Sequence, residues 1–232
     1  MNILKKQKWL RVFAILLIVV GIGFLLLDPL KGYLIKEIIE ENNSVDLTVE
    51  VVKKNEEAPV DFSFDQTVPV NWEDVLAVYQ SREDLPVIGG MAIPSLNLQL
   101  PVLKGLSEAN LIAGAGTMTP DQEMGKGNYS LVSHNVARSG VLFTDIQRIE
   151  VGELVYITDM THIYVYEISS LEMVSPTRVD VIEEVPGEQL LTLVTCSDDI
   201  LSRWIAQGHL LEEVPMDQAT DEMVAALSLA VE

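Results

Sequence analysis

Residues 189–196 read QLLTLVTC, a run of leucine, valine and threonine that ends on Cys196 and is followed at once by the turn-forming SDD. β-branched and apolar residues bounded by Asp, Gly or Pro read as a strand. The same texture recurs on both sides: GGMAIPSLNLQLPVLKG (89–105) holds two apolar runs about a turn, and NYSLVSHN (128–135), ELVYITD (153–159), HIYVYEISSLEMV (162–174) and RWIAQGHLLEEV (203–214) follow the same rule. With little helical periodicity between them, these runs predict an all-β domain closed, or nearly closed, as an antiparallel barrel. Within 189–196, Thr192, Val194 and Cys196 fall on one face of the strand, and Leu193 and Thr195 on the other. The neighbours of the thiol on its own face are therefore small.

Outward from the barrel the pattern turns helical. In PVNWEDVLAVYQ (69–80), Asn71 is an N-cap, Glu73 and Asp74 sit in the first turn, and Trp72, Val75, Leu76 and Tyr79 share one face. The tail TDEMVAALSLAV (220–231) predicts a second helix capped by Thr220. Residues 45–69 have weak periodicity and read as a linker, whereas YLIKEIIEENN (33–43) continues a helix that begins upstream.

That upstream helix contains Val12 to Leu27, sixteen residues without a charge, preceded by Lys5, Lys6, Lys8 and Arg11. Sixteen residues span about 24 Å, near the roughly 30 Å hydrocarbon core once flanking residues snorkel. Asp28, Pro29 and Leu30 offer no small-x-small cleavage site, which favours an uncleaved signal anchor over a cleaved signal peptide. Lysines before the span place the N-terminus in the cytoplasm and the rest outside. The expected organisation is a basic cytoplasmic segment at 1–8, a transmembrane anchor at 9–30, a juxtamembrane segment and linker at 31–69, a β-barrel domain at 70–215 and a helical tail at 216–232.

Net charge is −20, and the chain beyond residue 27 carries 11 basic against 35 acidic side chains. Such a surface repels phosphate backbones and argues against nucleic acid as a partner. Three histidines without zinc-type spacing, and glycine pairs too loose for a phosphate loop, leave few chemical candidates. Cys196 is the only cysteine, so it has no partner for an internal disulfide in an exported domain. His134 and Arg203, like Cys196, fall at strand ends, where side chains from several strands can meet. An imidazole can carry the thiol proton, and a guanidinium can stabilise a thiolate or an oxyanion. Residue by residue, a buried inert thiol, a surface histidine and an arginine paired with Asp198 or Asp199 remain open alternatives.

TLVTC (192–196) followed by Arg203, LVSHN (131–135), GAGTM (114–118), MGKGNYSLVSH (124–134), VSPTRVD (174–180) and the N-terminal anchor together resemble the class A sortases, cysteine transpeptidases of Gram-positive bacteria. The resemblance extends from the anchor to about Glu212. It implies an eight-stranded sortase-type β-barrel with short peripheral helices, and a catalytic set of His134, Cys196 and Arg203. It also implies substrate contacts from Ser133, Val194, Thr195 and Ile205. The implied reaction cleaves an LPxTG-type sorting signal between Thr and Gly through a thioester on Cys196, then passes the acyl group to an amine of a peptidoglycan precursor, lipid II, without a cofactor. Partners would be LPxTG-bearing surface proteins, and the setting would be the cell membrane, single-pass, with the catalytic domain extracellular.

The segment VSPTRVDVIEEVPGEQ (174–189) would close over the apolar residue of the peptide. His162 and His209 are read as structural, and Asp121, Glu123, Glu183, Glu184 and Glu188 as a solvated acidic face with no required metal. Three departures stand out: a short SDDILS (197–202) loop, Trp204 where a β-branched residue is expected, and Asn135 where some relatives have a second histidine. A pilin-polymerising sortase that uses a lysine nucleophile, and an anchored binding domain with an inert thiol, are the alternatives.

Overall fold

Alternating apolar residues become strands β1 (Val87–Ile93), β2 (Leu98–Leu103), β3 (Ala115–Thr117), β4 (Asn128–Val132), β5 (Leu154–Thr158), β6 (His162–Val174), β7 (Leu190–Cys196) and β8 (Arg203–Pro215). They close into one eight-stranded barrel in the order β1-β2-β3-β4-β7-β8-β6-β5, with β5 returning to β1. The computed structural model describes residues 3–43, 47–60, 62, 69–81, 84–136 and 139–227. The linker reading of 44–46, 61 and 63–68 and the last residues of the tail, 228–232, lie outside the described residues.

The barrel is not wholly antiparallel, because β2 pairs with β3 and β4 with β7 in parallel. The first of these pairs needs a crossover, supplied by the short helix α4 (Glu108–Ala113). Ser107 caps it by accepting a hydrogen bond from the Asn110 N–H at 3.2 Å. The glycines of GAGTM, too loosely spaced for a phosphate loop, belong to this tight crossing. A Cβ on Gly114 would stand 2.3 Å from the Pro101 carbonyl oxygen, and one on Gly116 would stand 2.5 Å from that of Gly105. Backbone approaches this close exclude any side chain.

Inside the barrel, Met91, Ile93, Leu100, Tyr129, Leu131 and Leu193 are among the buried core residues. Each large aliphatic side chain contributes about 1.5–3 kcal/mol on burial.

Helix α1 (Ile3–Asn43) joins two parts of different character. Its first part, Val12 to Leu27, is apolar and solvent-exposed in the isolated chain, long and apolar enough to cross a membrane. In its second part Ile35, Ile38 and Ile39, at i, i+3 and i+4, are buried against α3 (Trp72–Ser81), α4 and β2.

The stretch read as a linker is partly helical, a correction to that expectation: α2 (Val49–Glu56) is capped by Thr48, whose hydroxyl accepts from the Val51 N–H, and it buries Val52. Asn55 Nδ2 donates to the Val87 carbonyl at 2.8 Å and ties α2 to β1. With one buried apolar residue the periodicity is too weak to register, and the end signals, Glu50 in the first turn with Lys53 and Lys54 in the last, carry the information.

In α3 the Asn71 cap is present, with Oδ1 accepting from the Asp74 N–H at 2.9 Å. The buried face, however, centres on Val75 and Val78, while Leu76 and Tyr79 are exposed. At the C-terminal end α5 (Asp221–Leu227) begins at Thr220, whose hydroxyl accepts from the Met223 N–H, and Met223 packs on Tyr156, Ile163 and Val165.

Candidate active site

Parallel pairing of β4 and β7 sets Ser130 beside Thr192 and Val132 beside Val194. The Ser133 N–H donates to the Val194 carbonyl at 3.3 Å, continuing that register so that His134 comes level with Cys196. On the other side of β7, Cys196 stands opposite Arg203, Val194 opposite Ile205 and Thr192 opposite Gln207. Side chains alternate along a strand, so His134, Cys196 and Arg203 share one face with Val132, Val194 and Ile205. Leu131, Leu193 and Ala206 point the other way into the barrel core.

That outer face has its own apolar floor, Val132, Val194 and Ile205 packed with Leu106 and Leu111, and Val181 and Ile182 of the β6–β7 connection rest on it. Hydrogen bonds hold this connection down. Asn128 Nδ2 donates to the carbonyls of Val181 and Glu183, both at 3.0 Å. The Thr192 hydroxyl donates to Asn128 Oδ1 at 2.7 Å, and Gln207 Nε2 donates to that hydroxyl at 3.0 Å. The groove is thus closed by polar contacts at its Thr192 end and runs along apolar residues toward Cys196.

The Cys196 thiol is partly exposed. Burial pushes its pKa up, and the nearby positive charge of Arg203 pulls it back only in part. Arg203 is 8% exposed, and its Nη1 donates to the carbonyls of Ile200 at 3.1 Å and Ser202 at 2.8 Å, which fixes the guanidinium within the turn between β7 and β8. His134 Nε2 lies 3.1 Å from Glu108 Oε1 at the start of α4. Asn135 Nδ2 donates to the Cys196 carbonyl at 3.0 Å and to Asp198 Oδ1 at 2.9 Å, tying the two strand ends together.

Among the four residues expected to touch substrate, Val194 and Ile205 present side chains to the groove. The side chains of Ser133 and Thr195 do not reach it. Both are buried on the opposite face, Ser133 Oγ donating to the Gly114 carbonyl at 2.7 Å and Thr195 Oγ1 to the Ser133 carbonyl at 2.9 Å. Trp204, opposite Thr195, packs against the main core, which accounts for a large aromatic next to Arg203.

His162 and His209 sit apart from this face, 3.7 Å from Glu213 and 3.2 Å from Glu188 respectively. Of the acids read as a solvated face, Glu123 pairs with Lys126, and no three His, Cys, Asp or Glu side chains gather into a metal-binding group among the described residues.

Glu108 is the site residue that sequence reasoning missed, and Asn135, noted there only as a departure, ties the end of β7 to the segment after β4. The cap-then-acid order of Ser107 and Glu108 was the available signal for a helix start, but its proximity to His134 depends on the β2–β3 crossover.

The model of the sortase domain matches residues 91–211, a span that contains the whole of this face. The chain belongs to the sortase family. It is 33% identical to sortase A of Streptococcus agalactiae over 227 residues, covering 95% of this chain and 91% of that protein. It is 35% identical to sortase A of Bacillus anthracis over 212 residues, covering 90% of this chain and 97% of that one. The crystal structure of Listeria monocytogenes sortase A superposes with a TM-score of 0.57 at 34% identity, covering 62% of this chain and 99% of that chain.

Proposed function

We propose that this sortase is a membrane-anchored cysteine transpeptidase that cleaves LPxTG-type sorting signals between Thr and Gly and transfers the acyl group to an amine of a peptidoglycan precursor. The observation that carries the reading is the register: Cys196 directly opposite Arg203, and His134 level with Cys196 on the neighbouring strand, at the end of one apolar groove.

An extended peptide would lie along Val132, Val194 and Ile205 beside Val181 and Ile182, its Thr carbonyl at Cys196. The thiol is protonated at rest, so it must first give its proton to the His134 imidazole. The sulfur then attacks the carbonyl carbon, and the oxyanion is held by the Arg203 guanidinium. As the C–N bond breaks, imidazolium returns the proton to the departing Gly amine and leaves a thioester on Cys196. The acceptor amine attacks that thioester, its proton passes to His134, and the sulfur leaves as thiolate when the new amide forms. Helix α1 supports anchoring by its N-terminal apolar half, with the basic N-terminus in the cytoplasm and the barrel outside.

Mass spectrometry of the full chain with an LPxTG peptide, with and without an oligoglycine amine, tests the reading. The expected results are an acyl adduct on Cys196 and, with amine, a ligated peptide. Unmodified Cys196 and intact peptide would refute it.

A further inference from the structure

Resting on the reading of α1 as a membrane anchor, we infer that the barrel mouth bearing Cys196 faces the bilayer, and that its β7–β8 turn lies on the lipid headgroups of the outer leaflet.

Three observations give the barrel this direction. First, Gly32 follows the end of the uncharged run at Leu27 by five residues, about 7.5 Å along a helix. A Cβ at Gly32 would stand 3.0 Å from Ser139 Cβ. Ser139 belongs to the segment that leaves β4 after His134 and is bridged by Asn135 and Leu142, and Asn135 binds the end of β7 at Cys196. The active-site end of the barrel therefore touches α1 within about the thickness of one headgroup layer, which is the 5–8 Å left on each side when the hydrocarbon core is subtracted from the whole bilayer.

Second, the chain then descends along the barrel. Ile35, Ile38 and Ile39 clamp α1 to it, and farther along Asn55 binds the Val87 carbonyl at the start of β1, while Lys104 Nζ donates to the Glu56 carbonyl just past the end of β2. Glu56 and Lys104 line one cavity with Asp159, His162 and Glu213, and His162 pairs with Pro215 at the end of β8 remote from Arg203, so this is the barrel end opposite Cys196. From Gly32 to Glu56 the segment thus runs from the active-site mouth to the far mouth, and the membrane lies at its beginning.

Third, the uncharged run is too short to hold the domain off. Its sixteen residues cover about 24 Å of a roughly 30 Å core, so the residues after Leu27 are drawn toward the bilayer. At this mouth the turn between β7 and β8 carries Ile200 and Leu201, 42% and 72% exposed. The adjacent acids are engaged locally: Asp199 accepts from the Ser197 hydroxyl and the Leu201 N–H, and Asp198 from Asn135. An apolar tip at headgroup depth is where such side chains are accommodated. A lipid-linked acceptor would then reach the thioester by lateral diffusion.

Nitroxide depth measurements on the full chain in phosphatidylglycerol nanodiscs test this. Cys196→Ala removes the only cysteine, so single labels can follow from Leu201→Cys, with Ile200→Cys as a second reporter of the same turn, from Asp217→Cys just past β8 at the far mouth, and from Ile18→Cys in the span. The expected outcome is that collision with dissolved oxygen over a nickel chelate places the Ile18 label in hydrocarbon, both turn labels at headgroup level and the Asp217 label in water. Turn labels as water-exposed as Asp217, with Ile18 still in hydrocarbon, would overturn the inference and leave the anchor standing. A water-exposed Ile18 label would remove the anchor and this inference with it.

Discussion

Cys196 and Arg203 are direct cross-strand partners in the β7–β8 ladder, although only the short SDDILS segment joins them. The turn manages this without slipping the register. The Ser197 N–H donates to the Ser202 carbonyl at 3.0 Å, and Ile200 takes a left-handed φ of 59°. A one-residue slip would have sent Arg203 to the core face of the barrel.

The chemistry of the thiol follows from this pairing. Because burial raises the Cys196 pKa and Arg203 offsets it only in part, the thiolate is scarce at neutral pH. Alkylation by iodoacetamide should climb about tenfold per pH unit until it passes the ordinary thiol range near 8.5. Arg203→Met removes the lowering charge and should slow alkylation at any pH below that plateau. A rate unchanged in Arg203→Met would show that the guanidinium does not act on the sulfur.

A second relationship concerns His134. Its imidazole is anchored by Glu108, so Glu108→Ala should free the ring to reorient and lower kcat by about tenfold with little change in KM, since small misplacements of a reacting group are costly. Glu108→Gln retains an acceptor oxygen and should recover most of the loss. Equal damage from both variants would argue that Glu108 supports α4 instead of orienting the ring, and His134→Ala should lose about 10²–10⁴-fold.

Over the groove, Val181 contributes an apolar contact without touching the thiol. Val181→Asp should raise KM for a sorting-signal peptide by about tenfold, the equivalent of 1.4 kcal/mol of lost apolar contact, and leave kcat within about twofold. Steady-state kinetics separate the two constants. A fall in kcat alone would mean that the connection shapes the reacting centre instead.

How much of this was legible in the sequence depends on whether the information is local. Strand runs such as QLLTLVTC and HIYVYEISSLEMV carry their own pattern, and the caps at Asn71 and Thr220 are chemical signatures of a few residues. The parallel pairings of β2 with β3 and β4 with β7 are not local. They depend on a six-residue helix too short to show periodicity and on glycines whose role appears only where two backbones meet. The same limit explains the site. Cys196, His134 and Arg203 could be placed at strand ends, but the His134–Glu108 contact and the inward rotation of Ser133 and Thr195 depend on which face each strand turns to the core.

The second half of α1 is part of the folded domain, because Ile35 and Ile38 are buried at 0% and 3% exposure. Ile38→Ala should therefore cost about 2–5 kcal/mol, as a cavity in any well-packed core does. Ile18→Ala, a residue exposed outside the barrel, should leave the unfolding midpoint of the barrel unchanged. Urea titration followed by the fluorescence of Trp72 and Trp204 reads the difference, and equal midpoints for both variants would mean that the domain does not depend on α1.

Acid sensitivity should centre on Asp159 in the turn between β5 and β6. Burial alone would raise its pKa, but this is outweighed by donors: the N–H groups of Thr161 and His162, both at 2.8 Å, the Thr161 hydroxyl at 2.6 Å and the Tyr164 hydroxyl at 3.1 Å. The result is a carboxylate held below its usual range. A group with a lowered folded-state pKa stabilises the fold fully above the ordinary carboxylate value near 4, and that contribution disappears as pH falls through the folded value. Asp159→Asn should thus lower stability at pH 7 by about 1 kcal/mol, toward the small end for charge-assisted hydrogen bonds because the site is half open to solvent, or about 2–4 °C in Tm. The gap between wild type and variant should shrink as pH drops below 4 in calorimetric scans. A gap that stays constant down to pH 3 would assign the stability of the turn to shape alone, with no part for the charge on Asp159.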